Sequence, residues 1–257
     1  MNASKSWSEQ LASWAIPREI LAQAPTSPWI HPVELFEVGT GEIAMSRSTE
    51  LALEALPIGG SVLDIGCGGG RASIALTPPA QFLIGVDHQQ EMLEKFAAAA
   101  ISRKVEHAEF LGDWPEIAPD VPIADVAVAH HVIYNVSDLA TFARVTTTHA
   151  RKRVVLELSR RHPLSNLADL WLHFWGLARP SGPTAQDALE VIREAGFDAR
   201  ATYFADAPRQ RVSVEKQVEF TRIRLCLPES KDGEIREILE SRVEQPRELA
   251  AIWWQTQ

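Results

Sequence analysis

Cysteine is nearly absent: Cys67 and Cys226 are the whole supply in 257 residues, too few for a disulfide framework. Such composition suits a reducing cytoplasm, which is the expected location. No stretch approaches the roughly 18–20 consecutive apolar residues that a membrane span needs. The polar opening Met1-Asn2-Ala3-Ser4-Lys5-Ser6 leads into no signal-peptide apolar region, so no membrane partner is expected. Positive charge is also short. Lys and Arg number 25 against 34 Asp and Glu, a net charge of −9, which opposes attraction to a phosphate backbone. The small basic clusters at Arg151-Lys152-Arg153, Arg160-Arg161-His162 and Arg209-Gln210-Arg211 read as solvated surface or strand-edge charge. No nucleic-acid partner is therefore expected. The eight histidines are scattered and no spaced carboxylate–histidine set appears, so no metal site is expected either.

What is present is an ordinary globular composition, 46% hydrophobic and 23% charged. Ser6 and Glu9 form a potential capping box, with Trp7, Leu11 and Trp14 on one helical face. Pro17 ends or resets that helix, Pro25 to Pro32 reads as a loop carrying Trp29, and a second helix is expected over about Ser48 to Leu56. From Ser61 onward short apolar runs alternate with helical stretches. Strands are expected at Ser61–Gly66, Gln81–Asp87, Val105–Leu111, Ala124–His130 and Arg153–Leu158; helices are expected at Gly70–Leu76, Gln89–Ala100 and Ser137–Ala150. Runs such as Ala124-Asp125-Val126-Ala127-Val128-Ala129 lack clean alternation, as strands buried on both faces do. That rhythm predicts a doubly wound α/β sheet.

After the fifth strand the rhythm breaks. Leu167, Leu170, Trp171, Phe174 and Trp175 make a helical stripe in an insertion, and Thr184 with Asp187 starts another helix that Gly196 stops. A strand over Ala199–Phe204, helical sequence over Val212–Val243 around Pro228, and a last strand at Leu249–Trp254 follow. The expected organisation is an N-terminal helical lid over residues 1–46 and a main domain over 47–257, with insertions at about 160–182 and 207–245.

Strand Ser61–Gly66 runs directly into Gly66-Cys67-Gly68-Gly69-Gly70. A glycine turn between first strand and first helix is where doubly wound folds bind nucleotide-like ligands. Asp87 stands at the end of the second strand, where a carboxylate can accept from ribose hydroxyls. Gly112-Asp113-Trp114 follows the third strand, where Asp113 can accept from an adenine amino group and Trp114 can offer its face. These residues resemble the class I methyltransferases that use S-adenosylmethionine. The likeness is carried by Val62-Leu63-Asp64-Ile65-Gly66-Cys67-Gly68-Gly69-Gly70, Gly85-Val86-Asp87, Gly112-Asp113 and Asp125 to Val136, and it spans about Ser48–Phe204. The resemblance implies a Rossmann-like seven-stranded sheet of order 3-2-1-4-5-7-6 with the last strand antiparallel. It also implies S-adenosyl-L-methionine as cofactor, bound by Asp64, Gly66, Cys67, Gly68, Gly70, Asp87, His88, Gly112, Asp113, Trp114 and His130. Within that set, Gly66 and Gly68 would line the methionine part, Asp87 the ribose and Asp113 the adenine.

A dinucleotide-binding dehydrogenase fits less well. Its third fingerprint glycine would fall at position 71, which is Arg71, and Asp64 would repel a pyrophosphate. His130 and His131 follow the fourth strand, beside the first, and with Tyr134 they are the candidates for a catalytic base. Trp14, Trp29, Trp171 and Trp175 are candidates to line an acceptor pocket. The expected activity is methyl transfer to an O, N or C nucleophile of a small molecule. A methyltransferase acting on protein or RNA, or a non-catalytic cofactor-binding module, are the alternatives.

Overall fold

The computed structural model describes residues 2–29, 44–206, 213–242 and 246–256. Parts of the predicted lid (30–43), of the second insertion (207–212 and 243–245) and of the loop after Trp29 therefore lie outside the described residues.

Seven strands form one sheet: β1 (Ser61–Ile65), β2 (Phe82–Asp87), β3 (Glu106–Leu111), β4 (Ala124–His130), β5 (Ala150–Ser159), β6 (Arg200–Ala205) and β7 (Glu248–Gln255). Their order is β3-β2-β1-β4-β5-β7-β6. The first five pair in parallel, and β7 runs antiparallel to both β5 and β6. The class I topology expected from the resemblance is thus the observed one. Order reverses between β1 and β4, and the crevice at their carboxyl ends is the topological switch point where open α/β sheets bind ligands.

Both sheet faces are covered, which explains the continuous apolar runs. On one face α1 (Ala3–Ala12), α6 (Leu139–Thr148) and α8 (Ala185–Glu194) bury Trp7, Phe142, Val191 and Ile192 against Leu63, Ala127, Leu156 and Ile252. On the other, α3 (Arg47–Leu53), α4 (Arg71–Ile74) and α5 (Gln90–Arg103) bury Leu51, Ile74, Leu93 and Phe96 against Val62, Leu83, Val126 and Val155. Gly85 in β2 is needed for this second layer: a Cβ there would lie 2.9 Å from three atoms of the Phe96 ring.

A third, separate core joins segments far apart in the chain. Ile16, together with Ile20 of α2 (Arg18–Leu21), packs with Leu170 and Trp171 of α7 (Ala168–Trp175). Val218 of α9 (Val214–Arg224), Leu225 and Ile235 of α10 (Asp232–Ser241) complete it. The N-terminal segment and the two insertions, predicted as separate additions, form one helical cap. Polar contacts tie it together: Arg224 donates to the Pro28 carbonyl at 2.6 Å and Trp175 Nε1 to the Leu225 carbonyl at 2.7 Å.

Several boundaries differ from the sequence expectation. Helix α1 begins at Ala3, one turn before the Ser6–Glu9 box, because the Asn2 side chain accepts from Lys5 N and caps it first. Helix α3 ends three residues early and α4 is a single turn. Strand β5 is ten residues, extended at both ends by pairing with β4 and β7. The Thr184–Asp187 box is present, each side chain accepting from the other's backbone N–H. No helix among the described residues is long and apolar enough to cross a membrane.

Candidate active site

The glycine turn leaves β1 with Gly66, Gly68 and Gly70 all at positive φ. Gly66 is the tightest position. Its φ is +64°, and a Cβ would lie 2.6 Å from Val132 Cγ2, so both conformation and space demand glycine. The Gly66 and Cys67 amides donate to the Val86 carbonyl at 2.8 and 3.0 Å, which fastens the turn to β2. Gly66 is exposed at the strand end.

The two acids of the motif take different places. Asp64 is 1% exposed and lies beneath the turn, not on its surface. Its Oδ2 accepts from Ser73 Oγ at 2.6 Å and from Ser73 N at 3.2 Å, tying β1 to α4. Burial pushes its carboxyl up to about 7, against the pull of the two Ser73 bonds. Asp87 lies at the crevice end of β2. Its Oδ2 accepts from Gly68 N and its Oδ1 from Gln89 N, both at 3.0 Å, so two of roughly four lone-pair positions stay available. Asp113 follows β3 as an exposed side chain, and its carboxylate has no protein hydrogen-bond partner in the described structure. His88, next to Asp87, is exposed, with Nδ1 3.7 Å from the Asp87 carboxylate. Cys67 is buried, its thiol pushed far up by burial and by Asp64 and Asp87; its Sγ faces the Gly68 carbonyl. The turn, Asp87 and Asp113 thus stand at three neighbouring strand ends.

Two expected contributors point elsewhere. Trp114 turns into the domain: its Nε1 donates to Thr146 Oγ1 at 3.0 Å and its ring meets His149 edge-on. Tyr134 is buried and its hydroxyl donates to the Ser159 carbonyl at 2.8 Å. Burial drives that phenol well above its ordinary range, and its hydroxyl proton is committed to Ser159.

The tryptophans proposed as pocket walls are mostly consumed in packing. Trp7 stacks on Tyr134 at 5.7 Å between centroids, Tyr134 meets His162 edge-on, and His162 stacks on Trp14 at 3.9 Å. The Arg179 guanidinium then lies over both Trp14 and Trp171. Trp14 also donates to the Gly182 carbonyl at 2.6 Å. Burial, reinforced by Arg179, lowers the His162 imidazole to about 4. Trp171 belongs to the cap core and Trp175 flanks it. Only Trp29, 53% exposed, presents a largely open ring among the four.

The sequence alone does not single out the buried group at the ends of β4 and β5: Glu157 of β5. It is 6% exposed and paired in register with His130. Its Oε1 lies 3.4 Å from His131 Nε2 and 3.8 Å from His130 Nδ1, and Ser46 Oγ donates to its Oε2 at 3.1 Å. His131 has φ +62°; its amide donates to the Glu157 carbonyl at 2.6 Å, and Arg247 lies 3.2 Å from its Nδ1. Burial raises the Glu157 carboxyl, but the bond from His131 and the proximity of both imidazoles outweigh it and hold the group below the ordinary carboxylate range. His130 moves the other way. Burial lowers it despite the pull of Glu157, so the imidazole is neutral near pH 7. The available signal was a lone carboxylate inside Val154-Val155-Leu156-Glu157-Leu158, since a buried charge requires partners.

The sheet order, the glycine turn at its switch point and acids at the next two strand ends define a class I methyltransferase. A family model described as a methyltransferase domain matches residues 41–201, more than half of the chain. The chain belongs to this methyltransferase-domain family. No curated protein matches it in sequence. Among solved structures it is similar to YcgJ of Bacillus subtilis, with 20% identity over 81% of this chain and 96% of that one and a TM-score of 0.52. It is also similar to coclaurine N-methyltransferase, with 14% identity, 98% and 86% coverage and a TM-score of 0.53. A precorrin 8W decarboxylase of Methanobacterium thermoautotrophicum matches at 16% identity, 88% and 99% coverage and a TM-score of 0.51. At these identities the likeness is one of fold.

Proposed function

We propose that this methyltransferase transfers the methyl group of S-adenosylmethionine to a nucleophilic atom of a small molecule. The observation that supports it best is the alignment of Gly66–Gly70, Asp87 and Asp113 on three adjacent strand ends. The fit is chemical as well as spatial. Bare backbone at Gly66 and Gly68 admits the amino-acid part, the open lone pairs of Asp87 suit ribose hydroxyls, and the unpartnered Asp113 carboxylate suits an exocyclic amine. The cofactor supplies a methyl group on a sulfonium, already a reactive electrophile. What this chain's residues contribute is alignment of the acceptor and exclusion of water, an effect that reaches ~7–11 kcal/mol in well-oriented systems. An acidic chain of −9 suits a small acceptor better than RNA. Coclaurine N-methyltransferase, of the same fold, has been solved with N-methylheliamine, which agrees with that reading.

Calorimetry with S-adenosylhomocysteine tests the cofactor site. Wild-type protein is expected to bind, and Asp87→Ala to bind about 10- to 100-fold more weakly, the loss of one or two charge-assisted hydrogen bonds. A folded wild-type sample with no affinity removes the proposal.

A further inference from the structure

The buried Glu157 cluster has a geometry that packing alone does not require. His131 is committed at both ring nitrogens. Arg247 carries only donors, so its 3.2 Å contact makes Nδ1 an acceptor, and the ring proton sits on Nε2, facing Glu157 at 3.4 Å. His131 is thereby locked between a cation and a carboxylate and has no lone pair to offer. His130 differs. Its Nδ1 faces the same Glu157 oxygen at 3.8 Å, which favours the Nδ1–H tautomer and leaves the Nε2 lone pair directed away from the carboxylate. The strand register Asp64↔Val128 sets His130 level with Gly66, at the edge where β1 and β4 adjoin. Ser46, the cap of α3, fixes the second Glu157 oxygen.

We infer that His130 Nε2 takes a proton from the acceptor atom during transfer, with Glu157 as the positioning group behind it and His131–Arg247 as the brace that holds Glu157. The acceptor is then a nucleophile that loses a proton, a hydroxyl or an N–H amine, and not a tertiary amine or a thioether. This rests on the proposed use of S-adenosylmethionine. The bond from the acceptor atom to the methyl carbon forms as the carbon–sulfur bond breaks. The electron pair leaves with sulfur, giving a neutral thioether, and the acceptor's proton passes to His130 Nε2. The imidazolium is paired with Glu157 across the ring and returns its proton to solvent. The charged and titratable groups acting on His130 are Glu157 and His131; Arg247 acts through His131. A neutral imidazole near pH 7 is the competent form of such a base. The 3.8 Å separation closes to hydrogen-bond distance with a small ring rotation, as such contacts tighten once an acceptor is bound.

The experiment follows the His130 imidazole by NMR in the full-length, ¹⁵N-histidine-labelled protein saturated with S-adenosylhomocysteine, with His130→Gln as the assignment standard. Wild type is expected to show an Nδ1–H tautomer with a midpoint below the ordinary ~6.5. Glu157→Gln is expected to move the midpoint further down by about one pH unit, with Glu157→Asp recovering part of it. Methyl-labelled S-adenosylmethionine incubated with metabolite extract supplies the second readout. Transfer is expected to fall about 10²- to 10⁴-fold in His130→Gln, and the acidic limb of the wild-type rate to coincide with the NMR midpoint. A His130 midpoint indifferent to Glu157→Gln while S-adenosylhomocysteine still binds would overturn the base and leave the cofactor site standing. Undiminished transfer by His130→Gln, or a labelled sulfonium or quaternary ammonium product, would overturn it equally. Absence of S-adenosylhomocysteine binding by wild type would remove the cofactor site and the base with it.

Discussion

Asp64→Asn separates the two roles that a motif carboxylate can play. The Asp64 carboxyl is raised to about 7 in the folded protein, first by burial and only partly offset by its two Ser73 bonds; in the unfolded chain it returns to an ordinary value near 3.9. Between those pH values the folded state holds the proton that the unfolded state has lost. Stability from this group is therefore complete in acid and is lost as pH rises through 7. The loss between pH 5 and pH 8 is on the order of 2–3 kcal/mol for one such group, at 1.36 kcal/mol per pH unit of displacement. Asparagine keeps an acceptor for Ser73 but carries no charge, so it is spared that loss. Urea unfolding of both proteins at intervals from pH 5 to 8, without ligand, gives the difference directly, and every other titrating group cancels in it. The variant should gain on the wild type by about 2–3 kcal/mol between pH 5 and pH 8. Parallel curves would show that Asp64 is not held in the protonated range and that its burial is compensated by contacts other than Ser73.

Two further substitutions test the packing that places the site. Gly85→Ala drives a Cβ to 2.9 Å from the Phe96 ring, and overpacking of this kind should cost about 1–3 kcal/mol in urea unfolding; an unchanged midpoint would mean that α5 slides freely on β2. Trp14→Ala removes the ring between His162 and Arg179 and the bond to Gly182, which should cost about 3–5 kcal/mol. Limited proteolysis should then cut first within the cap, and cleavage confined to the sheet layers would refute the link.

The sheet was legible in the sequence because its causes are local. Parallel strands buried on both faces must be apolar throughout, and crossover helices must separate them, so β1 to β5 and the glycine turn follow from chain order alone. Helix ends were less legible. Asn2 outcompetes Ser6 as a cap although both are good cap residues, and nothing in Pro17's vicinity fixes where α1 stops. The placement of Asp64 could not be read either. A carboxylate before the turn can face a ligand or Ser73, and only the positions of α4 and β1 decide between them. Glu157 is the clearest case of what spacing hides. Ser46 and the His130–His131 pair that surround it, and Arg247 behind His131, come from three separate parts of the chain, so no window of sequence contains the site.

The tryptophans carry the same lesson into function. A rich supply of aromatics outside the sheet suggests a pocket for an aromatic acceptor, yet Trp7, Tyr134, His162, Trp14, Arg179 and Trp171 form a continuous column running from the main core to the cap core. Faces that are covered on both sides cannot also line a cavity. The column instead fixes where the cap stands relative to the end of β4, because Tyr134 follows His130 and His131 within one turn of chain and is anchored to Ser159 at the end of β5. Positioning of the acceptor, which is the main contribution that a protein makes beside an activated methyl donor, thus depends on a stacked joint between two cores. The aromatic stripe that is most conspicuous in the sequence therefore acts by holding the cap in place and not by lining a pocket.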